Sequence, residues 1–228
     1  MSAVKPSSAL SPTSRARAVL GGELSEVALR RYLSGLPAVD AVGAAQRAAH
    51  FQTRSIKTES KIWGLDTAIS MVDLTTLEGA DTPDKVRTLA HKALFTDPFD
   101  PTAPRVAAVC VYGDRVADVI DALGSAHLST DPEGVAVAAV ATAFPSGRAS
   151  MRVKIADTED AVAAGADEID MVIDRGAFLS GRIGEVFDQI AQVKEATKRP
   201  DGSHAHLKVI LETGELQTLD NVRRASQL

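Results

Sequence analysis

Between about residue 66 and residue 228, short apolar runs alternate five times with amphipathic helical patterns. Each run is rich in Val, Ile and Ala, and apolar residues at helical spacing follow it, as Val86, Leu89 and Ala93 follow the first run. Strict alternation of strands and helices builds a parallel sheet with right-handed crossovers. We therefore predict an α/β fold, either an open doubly wound sheet or a (β/α)8 TIM barrel. The runs are 69–74, 106–111, 135–141, 168–173 and 207–211.

Two common nucleotide-binding motifs are missing from the sequence. No Gly-x-Gly-x-x-Gly follows the first run, and no Gly-Lys-Ser/Thr occurs in the chain. The first motif marks dinucleotide-binding folds, and the second marks the P-loop. A dinucleotide-binding fold therefore has little support, and a P-loop is excluded.

The composition is that of a globular protein, and it narrows the function classes. Of 228 residues, 45% are hydrophobic, and 30 acidic against 25 basic residues give a net charge of −5. This apolar content is too high for disorder of the whole chain, and the acidic balance argues against a general nucleic-acid binder. The longest apolar run, 135–141, is far shorter than the roughly 18 residues that span a bilayer. We therefore expect neither a nucleic acid nor a membrane as partner.

The cysteine and histidine contents argue against a metal site or a disulfide. Cys110 is the only cysteine, so no intrachain disulfide can form. Of the five histidines, which are scattered, His204 and His206 lie two residues apart in a polar stretch, which favours an exposed pair over a metal site. We expect no metal and no cofactor. Cys110 itself is either a thiolate nucleophile or a small buried residue, and the second interpretation is favoured.

The chain is divided into three parts. Residues 1–21 are basic and rich in serine, which is typical of a disordered tail, with an organelle transit peptide as the alternative. Residues 22–65 are predicted to form a helical extension, with Leu24, Val27, Ala28 and Leu33 as its buried stripe, and residues 66–228 form the α/β part. Without a signal-peptide core, the default compartment is the cytoplasm.

Charged residues stand on one face of the fourth and fifth strands. Alternation places Glu168, Asp170 and Val172 on one face, and Lys208 on the corresponding face of the next strand. Neither face of a parallel sheet normally meets water. Charges there point into a barrel interior, where they meet one another and a ligand. Polar residues also gather towards strand ends, among them Asp73 and Thr75, as on the catalytic face of a TIM barrel.

A lysine inside a barrel suggests carbonyl chemistry, because its amine can form a Schiff base when its pKa is lowered. A nearby carboxylate has the opposite effect and keeps the lysine protonated. With Asp170 and Glu212 expected close by, Lys208 is interpreted as a paired ammonium rather than a nucleophile. The alternative to a functional role is an Asp170–Lys208 ion pair that only organises the barrel, although such buried pairs are often neutral or unfavourable for stability.

Several segments together resemble deoxyribose-phosphate aldolase. Asp73-Leu74-Thr75-Thr76-Leu77 and Ala108-Val109-Cys110-Val111-Tyr112 are similar to its first two strands, and Phe144-Pro145-Ser146-Gly147 is similar to its third-strand loop. The fourth and fifth strands are matched by Gly165-Ala166-Asp167-Glu168-Ile169-Asp170-Met171-Val172-Ile173 and by His206-Leu207-Lys208-Val209-Ile210-Leu211-Glu212-Thr213-Gly214-Glu215-Leu216. The similarity runs in order from about residue 67 to residue 228.

The resemblance implies a metal-free class I aldolase on a (β/α)8 barrel. Such an enzyme cleaves 2-deoxy-D-ribose 5-phosphate reversibly to acetaldehyde and glyceraldehyde 3-phosphate through a lysine Schiff base. The proton-transferring aspartate of the family matches Asp170, and Asp73, Thr75, Cys110 and Lys208 match positions that line the site. The expected partner is therefore a small phosphorylated sugar, and homodimer formation is left open.

The sequence also departs from the family pattern. The family's Schiff-base lysine lies on the sixth strand in a Lys-Thr-Ser-Thr-Gly-Lys context, and nothing similar occurs here. Only about five of the eight strand–helix units are present. We therefore expect an incomplete aldolase barrel without its nucleophile. The alternatives are a catalytically inactive partial barrel that needs a partner chain, and a shortened lyase with Lys208 as nucleophile.

Overall fold

The computed structural model describes residues 12–228, which form ten helices and a five-stranded sheet. The strands are β1 (Asp73–Thr75), β2 (Ala108–Tyr112), β3 (Ala136–Ala141), β4 (Glu168–Val172) and β5 (His206–Ile210). The helices are α1 (Pro12–Val19), α2 (Glu26–Ser34), α3 (Ala41–Gln52), α4 (Thr58–Ser70), α5 (Pro83–Leu94), α6 (Val116–Leu123), α7 (Met151–Ala163), α8 (Arg175–Leu179), α9 (Ile183–Ala196) and α10 (Leu219–Gln227). No helix in this part of the chain is long and apolar enough to cross a membrane.

The sheet is parallel throughout, with the strands in the order β1-β2-β3-β4-β5. Each strand therefore lies beside the strand that precedes it in the chain. This order is that of a TIM barrel, whereas a doubly wound sheet reverses its order at a switch point. The prediction of a parallel α/β fold with about five barrel units is confirmed.

Local sequence signals explain where the barrel helices begin and which side they bury. The side chain of Thr82 caps α5, and Pro83 occupies the first helical turn, where its missing N–H is not needed. Thr218 caps α10 in the same way. Residues at helical spacing then face the sheet, and in α5 the buried ones are Val86, Ala90 and Ala93.

The two faces of the sheet differ in what they bury. On one face, side chains such as Val109, Val137 and Ile169 pack against the helices in the main hydrophobic core. The other face carries a smaller cluster, in which Cys110 and Val140 are buried. Because side chains alternate along a strand, the charged residues of β4 and β5 lie on this second face.

A buried histidine links the beginnings of β3 and β4. His127 is 4% exposed, and its Nε2 lies 2.8 Å from Asp167 Oδ2, while its Nδ1 lies 2.7 Å from Ser129 Oγ. The same carboxylate oxygen accepts a hydrogen bond of 2.9 Å from the backbone N–H of Val137. Asp167 immediately precedes β4, so these contacts fix where that strand enters the sheet.

The described residues fall into two compact units. The first contains residues up to 39 together with 173–195 and 211–228, and the second contains 40–172 and 196–210. In the first unit, the residues that follow α2 contact α10: the N–H of Val39 donates to Asp220 Oδ1 at 2.7 Å, and Arg223 donates to the carbonyl of Pro37 at 2.9 Å. The whole sheet belongs to the second unit.

The N-terminal part differs from the sequence prediction in detail. Residues 1–11 of the predicted tail lie outside the described residues, but 12–19 form α1. In α2 the predicted Leu33 is buried, but Val27 is 63% exposed and Leu29, which was not predicted, is buried, so the predicted stripe is wrong in part. Leu29 and Leu33 are four residues apart and share one face of the helix, whereas Val27 is two residues from Leu29 and lies on the other side.

The predicted first strand is also corrected. Residues 69 and 70 belong to α4, which ends at Ser70, and β1 is only three residues long. Ile69 packs against the hydrophobic core from this last helical turn. The apolar run 69–74, which predicted one strand, is therefore divided between the end of α4 and the start of β1. Helix α4 thus crosses the boundary proposed between residues 65 and 66, and the division into three parts stays a prediction.

Large apolar side chains of α3, α4 and the segment between them are exposed. Trp63 is 71% exposed, which is unusual for a tryptophan. Such a surface is typical of a region that associates with another protein surface. The exposed residues are Val42, Phe51, Ile56, Ile62, Trp63 and Leu65.

Candidate active site

Four strands of the second unit bring polar side chains together on one face of the sheet, and three of these strands carry charged ones. Lys208 lies on β5 beside its register partner Asp170 on β4, and Glu168 lies two residues before Asp170 on the same face. Asp73 begins β1 and Cys110 stands in the middle of β2. The site therefore gathers residues that are up to 135 positions apart in the sequence.

The ammonium group of Lys208 is surrounded by three carboxylates. Its Nζ lies 2.5 Å from Asp73 Oδ2 and 3.1 Å from Asp170 Oδ1, and it also forms an ion pair with Glu168 Oε1. A lysine ammonium has three N–H donors, so one carboxylate is available for each. The three carboxylates have oxygen atoms within 4.8 Å of one another, and the ammonium lies among them.

These contacts set the protonation of Lys208. Burial alone would lower the pKa of the amine, but the hydrogen bonds to Asp73 and Glu168 and the charge of Asp170 outweigh it and raise the pKa above its ordinary value. The nitrogen is therefore held as an ammonium, without the lone pair that a nucleophile needs. The contacts agree with the interpretation of Lys208 as a paired charged lysine, but Glu212, which we expected beside it, pairs with Arg175 instead. The geometry disfavours Lys208 as the imine-forming residue.

Asp170 is the most buried carboxylate of the site. The residue is 6% exposed, its Oδ2 accepts a hydrogen bond of 3.2 Å from Lys208 Nζ, and Cys110 Sγ lies 3.7 Å from the same oxygen. Its Oδ1 is also buried and lies 3.1 Å from Lys208 Nζ. Both carboxylate oxygens are thus next to the ammonium, which holds the carboxyl group in place.

Burial raises the pKa of Asp170 from its ordinary value of 3.8 to about 6. The charge and hydrogen bond of Lys208 act in the opposite direction, but the neighbouring charges of Glu168 and Asp73 add to the effect of burial. A carboxyl group with such a pKa can both accept and release a proton near neutral pH, which is the property required of a general acid–base group.

Cys110 is a neutral thiol in this arrangement. It is 3% exposed, and burial, followed by the negative charge of Asp170, raises the pKa of the thiol to about 12. Since the thiolate is the reactive form of cysteine, Cys110 is not activated as a nucleophile here. The favoured interpretation of a small buried residue is confirmed.

For two residues, the structure differs from the set of site residues that was selected from the sequence. Thr75 is exposed at the end of β1, and its hydroxyl donates to the carbonyl of Asp73 at 2.8 Å, so the structure does not bring it to the Lys208 ammonium. Glu168 does contact that ammonium, although we did not select it as a site residue. The alternation that identified Asp170 places Glu168 on the same face, and that signal was available in the sequence.

A comparison with protein families decides the relationship. The sequence model of the DeoC/LacD family aldolase matches residues 67–228. The chain belongs to the DeoC/LacD aldolase family. The matched range contains every strand of the sheet and all the residues around the Lys208 ammonium.

Individual members of the DeoC/LacD family agree with this assignment. The chain is 38% identical over 190 residues to the deoxyribose-phosphate aldolase of Mus musculus and 37% identical over 192 residues to that of Homo sapiens. These alignments cover 79% and 80% of this chain but 57% of each relative. The chain thus spans little more than half the length of these relatives.

Solved structures show the same fold. The crystal structure of a candidate deoxyribose-phosphate aldolase from Coccidioides immitis superimposes with a TM-score of 0.61 at 22% identity, covering 89% of this chain and 67% of that one. A second candidate from Toxoplasma gondii gives a TM-score of 0.57 at 26% identity, covering 73% and 57%. The described sheet and helices therefore have the fold of these two structures, of which this chain covers a part.

Proposed function

We propose that the protein is a lyase that cleaves 2-deoxy-D-ribose 5-phosphate reversibly to acetaldehyde and D-glyceraldehyde 3-phosphate through a lysine Schiff base. The proposed Schiff-base lysine is not among these 228 residues, so activity is to be measured on the protein isolated from its natural source. The observation that carries this proposal is the pairing of Asp170, a buried carboxyl group with a pKa near 6, with the Lys208 ammonium. The names of the mouse and human relatives support the substrate. A small phosphorylated sugar is thus the proposed ligand.

The proposed reaction needs a group that moves protons at the carbons and oxygens of the bound sugar. Cleavage begins when the hydroxyl next to the breaking bond loses its proton, and it ends when the two-carbon fragment gains one. The carboxyl group of Asp170, whose two oxygens lie 3.1 and 3.2 Å from the Lys208 ammonium, is the proposed acceptor and donor. Because the carboxyl pKa is near 6, neither protonation state is strongly disfavoured at neutral pH.

The other residues of the site have supporting roles in this proposal. Lys208 holds Asp170 in place and neutralises part of the charge of Asp73 and Glu168. Cys110 fills the space beside Asp170 without adding a charge. Thr75 is proposed to line the substrate site, and this proposal rests on its position at the end of β1.

Trapping the imine tests which amine reacts. We expect that sodium borohydride, added with acetaldehyde to the protein isolated from its natural source, fixes a two-carbon adduct on a lysine that these 228 residues do not include, because the Lys208 nitrogen has no free lone pair. Peptide mass spectrometry locates the adduct, and the same treatment without acetaldehyde is the control. An adduct on Lys208 would reverse the assignment of its role, and no adduct on any lysine would contradict the Schiff-base function and favour the inactive partial barrel.

We also propose that the protein forms a homodimer and acts in the cytoplasm. The exposed apolar residues around Trp63 support association between copies, and a phosphorylated sugar as substrate supports the compartment. Sedimentation velocity of the purified protein should show a species of twice the protomer mass, and a Trp63→Ser variant should shift it towards the protomer. A wild-type protein that sediments as a protomer at micromolar concentration would contradict the homodimer. Recovery of the protein in an organelle fraction would contradict the cytoplasmic location.

A further inference from the structure

A second pair of polar residues continues the site along β4 and β5. Asp170 and Lys208 are register partners, and so are Glu168 and His206, two residues earlier on each strand. Since side chains two residues apart point to the same face, all four lie on the charged face of the sheet. The charged groups therefore form a line that runs from the middle of the strands towards their amino-terminal ends.

Successive members of this line are in contact. Lys208 Nζ touches Asp170 and Glu168 Oε1, and the other oxygen of that carboxylate, Glu168 Oε2, lies 3.5 Å from His206 Nε2. The two ends of the line differ in exposure: the side chain of Asp170 is 8% exposed and that of His206 is 70% exposed. Between them, the side chain of Lys208 is 37% exposed and that of Glu168 is 18% exposed. The imidazole at the end is the member most open to water.

The remaining neighbours of the site do not offer the same route. Among the described residues, Cys110 on β2 faces Asp170 as a thiol that holds its proton, since burial raises its pKa to about 12. Asp73 on β1 contacts the ammonium and its side chain is 33% exposed, but no histidine of the described residues is in contact with it. Histidine is the side chain best suited to exchange protons with water near neutral pH.

We propose that Glu168 and His206 carry protons between solvent and the Asp170–Lys208 pair. The inference rests on the proposed function, in which Asp170 gains and loses a proton in each cycle. A proton passes from His206 to Glu168, and Glu168 then gives a proton to Lys208 as Lys208 gives one to Asp170, so that the nitrogen is an ammonium before and after the step. His206 regains a proton from water or buffer. Only N–H and O–H bonds change, and the reverse sequence removes a proton. Glu168 and His206 are thus positioning and relay residues, which do not touch the substrate.

The path can be measured without any turnover, through exchange of the Lys208 ammonium protons with water. We expect that ¹⁵N NMR of the full chain shows this exchange to be slower in His206→Gln by at least about tenfold, and that added imidazole restores it. His204→Gln is the matched control, since His204 lies two residues earlier, is exposed and hydrogen-bonds to Thr197 instead. Equal exchange in wild type and His206→Gln, or an ammonium signal lost to fast exchange in both, would overturn the proposal.

Turnover gives a second readout. In weakly buffered solution, kcat for 2-deoxyribose 5-phosphate cleavage should fall by about tenfold in His206→Gln with KM unchanged, which is less than the 10²–10⁴ expected for a group that acts on the substrate. Imidazole should restore kcat, an effect that a purely structural defect would not show. A wild-type protein that cleaves no substrate would contradict the proposed function, while the ammonium exchange would still decide the proton path.

Discussion

Replacing Asp170 with asparagine is expected to lower kcat for cleavage of 2-deoxyribose 5-phosphate by at least about 100-fold, the lower end of the effect of removing a general acid–base group. Asparagine has nearly the same shape and its amide oxygen can still accept a hydrogen bond from Lys208, but it cannot take up a proton at this pH. The measurement is the initial rate of product formation with substrate in excess. Turnover close to that of the wild type would remove Asp170 from the mechanism.

The same substitution is expected to stabilise the fold at neutral pH. Because the carboxyl pKa is raised from 3.8 to about 6, the folded state binds more protons than the unfolded state in this window. The free energy of unfolding of the wild type therefore falls as pH rises from about 4 to 6, and a residue that does not titrate avoids this loss. Relative to wild type, Asp170→Asn should gain about 1–3 kcal/mol between pH 4 and pH 7.

Asp121→Asn is the matched control for both effects, since Asp121 is exposed on α6. Urea denaturation of the wild type and both variants at pH 4.5 and pH 7.5 separates the two outcomes. A loss of activity with a gain of stability indicates a residue kept for chemistry rather than for the fold. Equal losses of activity and stability in Asp170→Asn would instead indicate an ion pair that only organises the barrel.

Replacing Lys208 with methionine is expected to have the largest effect on stability. Methionine fills similar space but leaves the carboxylates of Asp73, Glu168 and Asp170, whose oxygen atoms lie within 4.8 Å of one another, without their shared cation. Removal of one partner from a buried ion pair destabilises by about 3–5 kcal/mol. Because 37% of the Lys208 side chain is exposed, solvent screens part of this effect, and we expect about 2–3 kcal/mol at pH 7.5.

The pH dependence of this effect identifies its cause. Lowering the pH protonates the carboxylates and removes their mutual repulsion, and Asp170, whose pKa is already near 6, is protonated early. The difference between wild type and Lys208→Met should therefore shrink from pH 7.5 to pH 5, as measured by urea denaturation at both values. Lys92→Met, at an exposed position of α5, should show no such difference. A loss that is equal at both pH values would indicate a packing defect rather than electrostatic repulsion.

Much of this arrangement could be predicted from local sequence patterns. The alternation of strands and helices indicated the parallel sheet, and a charge on the inward face of an otherwise apolar strand indicated Asp170 and Lys208. These signals work because each strand of a parallel sheet is covered on both faces, so that a charged residue there needs a specific partner. Asp73 was indicated by the polar residues near the strand ends and by the resemblance to the aldolase family.

Other features depend on contacts between distant segments. Glu168 stood on the predicted face, but only the position of the β5 ammonium shows that it shares Lys208 with two other carboxylates. In α2 the buried residue is Leu29 rather than Val27, and Ile69 packs against the core from the last turn of α4. Both features depend on which neighbouring segments these helices contact. Thr75 lies on the expected strand, but its hydroxyl bonds to its own backbone segment, an alternative that the sequence pattern does not distinguish.

Quantifying both products of 2-deoxy-D-ribose 5-phosphate cleavage tests the central claim most directly. The wild-type protein should release acetaldehyde and glyceraldehyde 3-phosphate in equal amounts without added metal, and Asp170→Asn should release both at least about 100-fold more slowly. Equal release of the two products by wild type and variant would contradict the role of Asp170. A wild-type protein that releases neither product would contradict the aldolase function itself.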